Sequence, residues 1–355
     1  MSGFVSILIA ILVFSVIILF HEFGHFLLAR SFGVKVIEFS LGMGPAVLTW
    51  HGKETDYSLK ALPFGGSCQM KGELSEDADG VTQFDDDDFN AKKPWQRFLI
   101  IAAGPVFNFI LAYLCALVIV GNVGISRPVI SDVIDGLPAQ AAGMQAGDRI
   151  LSIDGRKMNL YDEIRMYINL HSGQPLEIVY ERDGERRSFT AVPVRSEETG
   201  AFLIGIMGNT VIEKPQNPLQ LLQFGFYEVR YNIFMCLESI RYMISGRASL
   251  NDVMGPVGMV STMGETVDES SHYGLGAMLL TVVNFIVLFS SNLGVMNLLP
   301  IPALDGGRIL FIFAEMLTGR PVNRRLEAYV NLAGFLLLMG LMAVVMVHDI
   351  GRIGR

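Results

Sequence analysis

Long apolar runs alternate with polar segments along the chain, and the run lengths give the first reading. Four stretches are long and apolar enough to cross a hydrocarbon layer of roughly 30 Å, which takes about 20 helical residues. They are Phe4 to about Ala29, Phe98–Gly121, a stretch inside the uncharged segment Tyr273–Leu304, and Ala328–Val347. The segments between them follow other periods. Residues 34–72 partly alternate, as in Val34-Lys35-Val36-Ile37-Glu38-Phe39-Ser40, and are punctuated by Gly42, Gly44-Pro45, Pro63 and Gly65-Gly66. That pattern predicts a small β-ribbon. Residues 73–93 are acidic, lack the spacing of a calcium loop and read as a solvated loop. Within 128–207, strands are predicted at Val129–Val133, Arg149–Ile153, Leu176–Arg182 and Glu185–Val194, with a helix over Asn159–Leu170. Asp183-Gly184 is a strong hairpin signal between two of those strands. Leu219 to Ile244 has helical character but carries Glu228, Arg230, Glu238 and Arg241. Charges at that density disfavour a span and predict an amphipathic helix lying on the membrane surface. Pro256 and the nearby glycines are expected to break the chain before the third span.

Composition agrees with this picture. Of 355 residues, 51% are hydrophobic and only 17% charged, too apolar for an ordinary soluble protein. The net charge of −8 argues against a nucleic-acid partner, which favours a basic patch. Cys68, Cys115 and Cys236 are far apart, form no C-x-x-C pair and read as packing residues. The first 20 residues lack a basic start and a small-x-small cleavage site, so they are expected to be a retained span. Orientation follows from the basic residues beside the spans. Lys35, Lys53, Lys60, Lys71, Lys92, Lys93 and Arg97 lie between spans one and two, and Arg320, Arg324 and Arg325 between spans three and four. Those segments are expected to be cytoplasmic, with both termini and residues 125–270 outside.

The chemistry is concentrated at the end of the first apolar run, in His21-Glu22-Phe23-Gly24-His25. Positions four apart share one helix face, so the two imidazoles point the same way. H-E-x-x-H on a helix is a zinc pattern in which the two histidines bind and the glutamate serves as general base. Three ionisable groups in a membrane helix, at roughly 2.5–3.5 kcal/mol each, call for a functional reason. A catalytic zinc takes three protein ligands. The other histidines, His51, His171, His272 and His348, lie outside the predicted membrane interior. The third candidate is therefore Asp305, in Asn297-Leu298-Leu299-Pro300-Ile301-Pro302-Ala303-Leu304-Asp305-Gly306-Gly307. Its two prolines must break the helix, and broken backbone at membrane depth is tolerated only against protein or a wet cavity.

These two motifs resemble those of the bacterial site-2 proteases, the intramembrane zinc metalloproteases, in their single-PDZ form. Asn297 to Gly306 is similar to the family's N-x-x-P-x-P-x-L-D-G motif, which supplies the third ligand. Ala103-Gly104-Pro105-Val106-Phe107-Asn108-Phe109 resembles its second-span motif. Gly42-Met43-Gly44 resembles its G-x-G strand, thought to hold substrate by edge pairing, and Ala142 to Ile150 with Ile153-Asp154-Gly155 resembles a PDZ domain. Ser67-Cys68-Gln69-Met70 departs from the family, in which Tyr or Val often follows the glycine pair.

The resemblance implies a polytopic α-helical membrane protein with four transmembrane helices, a membrane-embedded β-ribbon and an inserted extracytoplasmic PDZ domain of α+β type. The expected segments are the first span with the zinc motif at 1–30, ribbon and acidic loop at 31–97, and the second span at 98–121. The PDZ domain follows at 126–210, an amphipathic helix and linker at 217–272, a broken third span carrying the aspartate at 273–315, and the fourth span at 328–347. It implies zinc held by His21, His25 and Asp305, and Glu22 as base. Asn297, Gly42, Gly44 and Asn108 are the substrate-binding candidates, with residues 38–44 and 57–62 as the expected pairing edge. The implied partners are lipid and single-span membrane proteins, of the anti-sigma factor or signal-peptide remnant type, already shortened by another protease. Two rivals are a catalytically inactive membrane-anchored PDZ binding module and a metal transporter. Intact His21, Glu22, His25 and Asp305 speak against the first, and the absence of internal repeats against the second.

Overall fold

The structure, a computed structural model, describes residues 3–73, 84–171, 173–197, 200–208, 212–246 and 254–353. The centre of the expected acidic loop, with Glu76, Asp77 and Asp79, lies outside the described residues. Nine α-helices are described: α1 (Gly3–Ser31), α2 (Pro94–Val123), α3 (Pro138–Ala141), α4 (Tyr161–Leu170), α5 (Pro218–Ile244), α6 (Pro256–Ser271), α7 (Leu275–Leu298), α8 (Asp305–Thr318) and α9 (Arg324–Ile353). The chain divides into two compact units, Met1–Cys115 with Ala248–Arg355, and Ala116–Arg247.

In the first unit, α1, α2, α7 and α9 are long and apolar enough to cross a membrane. Helices α2 and α9 run beyond the apolar stretches that predict them, because helical hydrogen bonding continues into the polar flanks. The third apolar stretch is broken as its prolines require. Helix α7 ends at Leu298, and α8 begins at Asp305. A Cβ on Gly306 would stand 2.0 Å from the carbonyl oxygen of Leu299, and one on Gly307 2.6 Å from that of Ile301. Only glycines let the broken segment fold so tightly against the start of α8.

The expected break before span three is instead the helix α6. Pro256 opens it at the first position, where a missing N–H costs nothing. The carboxylate of Asp349 in α9 accepts from the Gly255 and Gly258 N–H groups at 3.2 and 2.9 Å. Met263 and Val267 are fully buried with Ala10, Val13 and Ile17 of α1. A Cβ on Gly264 would meet the Ser6 hydroxyl at 2.3 Å, so this glycine is a close-packing position and not a breaker.

Two strands, β1 (Val36–His51) and β2 (Asp56–Met70), make the ribbon, which is longer than its sequence signal. Gly42 and Gly44 have φ of 90° and 87°, and the ribbon curls there so that Glu38 to Leu41 is paired on both sides. Gln69 to Gly66 lies along one side and Asp56 to Leu59 along the other. Residues 57–59 are likewise paired twice, to 39–41 and to 48–50. Residues 38–41 and 57–59 are therefore interior, and among the described residues the margins are 46–51 and 66–70. The root of the ribbon (Val36, Cys68, Met70) shares one buried cluster with Ala29 of α1, Ile100 and Ile101 of α2 and Ile312 of α8. The half-buried ion pair Arg97–Glu315, at 2.6 Å, joins α2 to α8 in the same region.

The second unit holds a four-stranded antiparallel sheet in the order 156–157, 149–153, 176–182, 185–191. Ile150, Ile153 and Ile178 from its strands pack with Ile164 and Ile168 of α4. Asp183 and Gly184 take φ of 51° and 82°, the two left-handed residues of a tight hairpin. Asp148 is buried and bound at two points by Arg182, both at 2.6 Å. Burial works against its charge, but the guanidinium holds its carboxyl below the usual range. Helix α5 belongs to this unit, where the expected surface helix packs against the domain with part of its charge. Two of its charges face the domain: Arg230 pairs with Glu163, and Glu238 with Arg156. Its apolar residues Leu219, Leu222, Phe226 and Ile244 stay exposed.

Candidate metal centre and active site

His21 and His25 project from one face of α1 and bring their Nε2 atoms to 3.3 Å. The Oδ2 of Asp305, at the first turn of α8, stands 3.2 Å from Nε2 of His21 and 3.4 Å from Nε2 of His25. Both histidines are buried, and Oδ2 has no hydrogen-bond partner among the described residues. Three donors bound tetrahedrally at about 2.0–2.1 Å stand roughly 3.3–3.4 Å apart. The triangle has the size that zinc requires, and its nitrogen and oxygen donors are those zinc takes.

Close helix contact makes room for the triangle. A Cβ on Gly104 of α2 would lie 2.3 Å from Nε2 of His25 and 2.7 Å from Cε1 of His21. A Cβ on Gly24 would lie 2.4 Å from the carbonyl oxygen of Ala103. The carbonyl of Ile100, one turn before Gly104 on α2, accepts from Nδ1 of His25 at 2.9 Å. These contacts escape a motif search. Their one sequence signal is small residues in apolar helices, Gly24 on α1 and Ala102-Ala103-Gly104 on α2.

Glu22 stands beside the triangle and outside it. Its carboxylate accepts a hydrogen bond from the backbone of Cys68 in β2. Gly66 lets β2 pass this close, since a Cβ there would meet Cγ of Glu22 at 3.0 Å and Cγ2 of Ile18 at 2.8 Å.

The substrate-binding candidates divide. Asn297 is nearly buried, with its amide nitrogen 3.5 Å from Nε2 of His21. Asn108 is fully buried, 3.1 Å from Nδ1 of His21, so it stands behind a ring and no substrate can reach it. Gly42 is used for the curl of the ribbon: a Cβ there would meet the Leu62 carbonyl oxygen at 2.5 Å. Gly44 has only the Leu62 side chain near, at 3.8 Å.

Four membrane-length helices around a carboxylate–imidazole triangle, with a further glutamate at its side, define a membrane-embedded zinc metalloprotease. The chain belongs to peptidase family M50, the site-2 protease family, whose model matches residues 9–341. A Clostridium acetobutylicum protein provisionally named as a zinc metalloprotease is 38% identical, over 98% of each chain. Zinc metalloprotease RasP of Geobacillus kaustophilus is 31% identical, also over 98% of each. The regulator of sigma-W protease RasP of Bacillus subtilis is 29% identical, over 99% of each. A solved PDZ domain of an SdrC-like protein from Listeria monocytogenes is 26% identical, covering 24% of this chain and 92% of its own, with a TM-score of 0.22.

Proposed function

We propose that the protein cuts single-span membrane proteins within the bilayer, after another protease has shortened them, with His21, His25 and Asp305 holding zinc and Glu22 as the base. The observation that carries this reading is the buried triangle of donors, 3.2 to 3.4 Å on a side. When bound, zinc polarises the scissile carbonyl and lowers the pKa of water towards about 7. Glu22 takes a proton from the attacking water and hands it to the leaving amine. The amide of Asn297 donates to the oxygen on which charge develops.

A helical substrate hides its scissile bond within its own hydrogen bonds, and pairing with a strand margin can hold it unwound. The margin beside Glu22 is 66–70, so we assign the pairing there instead of to 38–44. Anti-sigma factors are the favoured substrates, in keeping with the sigma-W regulator among the relatives. The test of the whole reading is to measure zinc content and cleavage of a single-span peptide on the same purified sample in detergent. One zinc with cleavage supports it. Zinc without cleavage favours a transporter, and neither favours an inactive binding module.

The basic residues beside the spans support an orientation with residues 31–97 and 316–326 cytoplasmic and 125–270 outside. On a background free of the three native cysteines, reporters at Asp86 and Gly184 are expected to label from opposite sides. Labelling from one side only would refute it.

The inserted domain, which we read as a PDZ domain, acts as a size gate. Its PDZ-like sequence, helix and antiparallel sheet support that reading, and the basic residues beside the spans support its lying outside. Removing residues 128–207 is expected to make untrimmed substrate cleavable while trimmed substrate is cut about as before. If trimmed substrate alone ceases to be cut, the domain recruits and the gate is wrong.

A further inference from the structure

His21 and His25 are backed by different kinds of partner. Behind His25 is the carbonyl of Ile100, which can only accept. The neutral ring therefore carries its proton on Nδ1, and the lone pair of Nε2 faces His21 and Asp305. Behind His21 is a side chain. Its Nδ1 lies 3.1 Å from the amide of Asn108. Asn108 is fully buried, and its own backbone carbonyl accepts from the hydroxyl of Ser290 in α7 at 2.8 Å. The Oδ1 of Asn108 is buried and has no hydrogen-bond partner among the described residues.

A side-chain amide can turn its nitrogen or its oxygen to the same neighbour, and the choice decides what the imidazole can do. With the nitrogen towards His21, Nδ1 must accept, and the neutral ring carries its proton on Nε2. That proton would sit inside the triangle and prevent ligation. With the oxygen towards His21, Oδ1 gains the donor it lacks, Nδ1 keeps the proton, and Nε2 is a free donor. A metal-binding histidine is oriented in this way by an acceptor behind it.

We propose that Asn108 is a positioning residue: it presents Oδ1 to the Nδ1–H of His21 and so fixes the ring state that can hold zinc. The proposal rests on His21 being a ligand. It gives Asn108, on a different helix from the H-E-x-x-H motif, the place behind His21 from which the Nδ1 side of the ring is set.

The test is zinc affinity of the purified full chain, by competition with a chromophoric chelator, with the cobalt(II) absorption spectrum as a second readout. Asn108→Leu, similar in shape but with no acceptor, is expected to weaken zinc binding about 10–100-fold and to shift the cobalt bands. Asn108→Asp, which keeps the shape and can still present an acceptor oxygen to Nδ1, is expected to hold zinc clearly more tightly than Asn108→Leu. Melting of the metal-free proteins checks folding. Asn108→Ala replaces the leucine variant, and Asn108→Thr the aspartate variant, if either fails to fold. Unchanged affinity without the acceptor, or equal losses with and without it, overturns the proposal. His21→Ala is measured alongside. If it keeps zinc, the ligand assignment falls and this proposal with it; if it loses zinc while Asn108→Leu does not, only the role of Asn108 falls.

Discussion

Glu22→Gln is expected to keep one zinc per chain and to lower turnover by about 10²–10⁴-fold, the usual size of a lost general base. The reason is geometric. His21, His25 and Asp305 converge without it, so an uncharged side chain of the same shape at position 22 leaves the triangle intact. Glutamine can still accept the hydrogen bond from the Cys68 backbone, but it cannot take a proton from water. Zinc content and cleavage rate on one preparation check both halves. Loss of zinc in this variant would make Glu22 a ligand, and retained turnover would remove it from the chemistry. In cells, the same variant should accumulate single-span fragments already shortened on their outer side. Membrane proteomics that finds none would remove the proposed substrate class while leaving the protease chemistry standing.

The second large effect is expected from one methyl group. Gly104→Ala should abolish zinc binding, and cleavage with it. The new Cβ would stand 2.3 Å from Nε2 of His25 and 2.6 Å from its Cε1, with Cε1 of His21 at 2.7 Å. Both rings must move, and each is already held from behind, by Ile100 and by Asn108. Helix propensity works the other way: alanine favours a helix over glycine by about 0.8–1.0 kcal/mol. A loss therefore cannot come from a weakened α2. Gly121→Ala on the same helix is the control, because its Cβ would meet only Leu221 at 3.7 Å, an ordinary contact. Zinc retained by Gly104→Ala at the unaltered stoichiometry would mean that the rings can yield, and that the close crossing of α1 and α2 does not set the triangle.

Much of this architecture was legible in the sequence because membranes impose coarse rules. Twenty apolar residues make a span, a proline pair breaks one, and ionisable groups within one mark a site. The pairing of His21 and His25 follows from helical period alone. What was not legible depends on distances of a few ångströms between elements remote in sequence. Gly255, Gly258 and Gly264 read as breakers, yet their missing side chains make room for Asp349 and Ser6, and the chain stays helical as α6. The charges of α5 read as a solvated face, yet Arg230 and Glu238 are spent on Glu163 and Arg156 within the β-rich unit. Strand alternation located the ribbon but carried no register. The curl at Gly42 and Gly44 could not be foreseen, nor that residues 38–41 would be paired on both sides. Asn108 entered only through the resemblance to the family's second-span motif, and its contact with Nδ1 of His21, across two helices, could not be read from that.

The donor triangle is split along the chain, with two members in the first helix and the third at the start of α8, beyond the whole β-rich unit. Synthesis proceeds from the N-terminus, and early segments fold as they emerge. A growing chain thus carries two of its three donors from the outset and lacks the third until the β-rich unit has been made. Through most of synthesis the donor set is therefore incomplete. The order of the elements along the chain thus sets when the donor set can close, after the β-rich unit has been made.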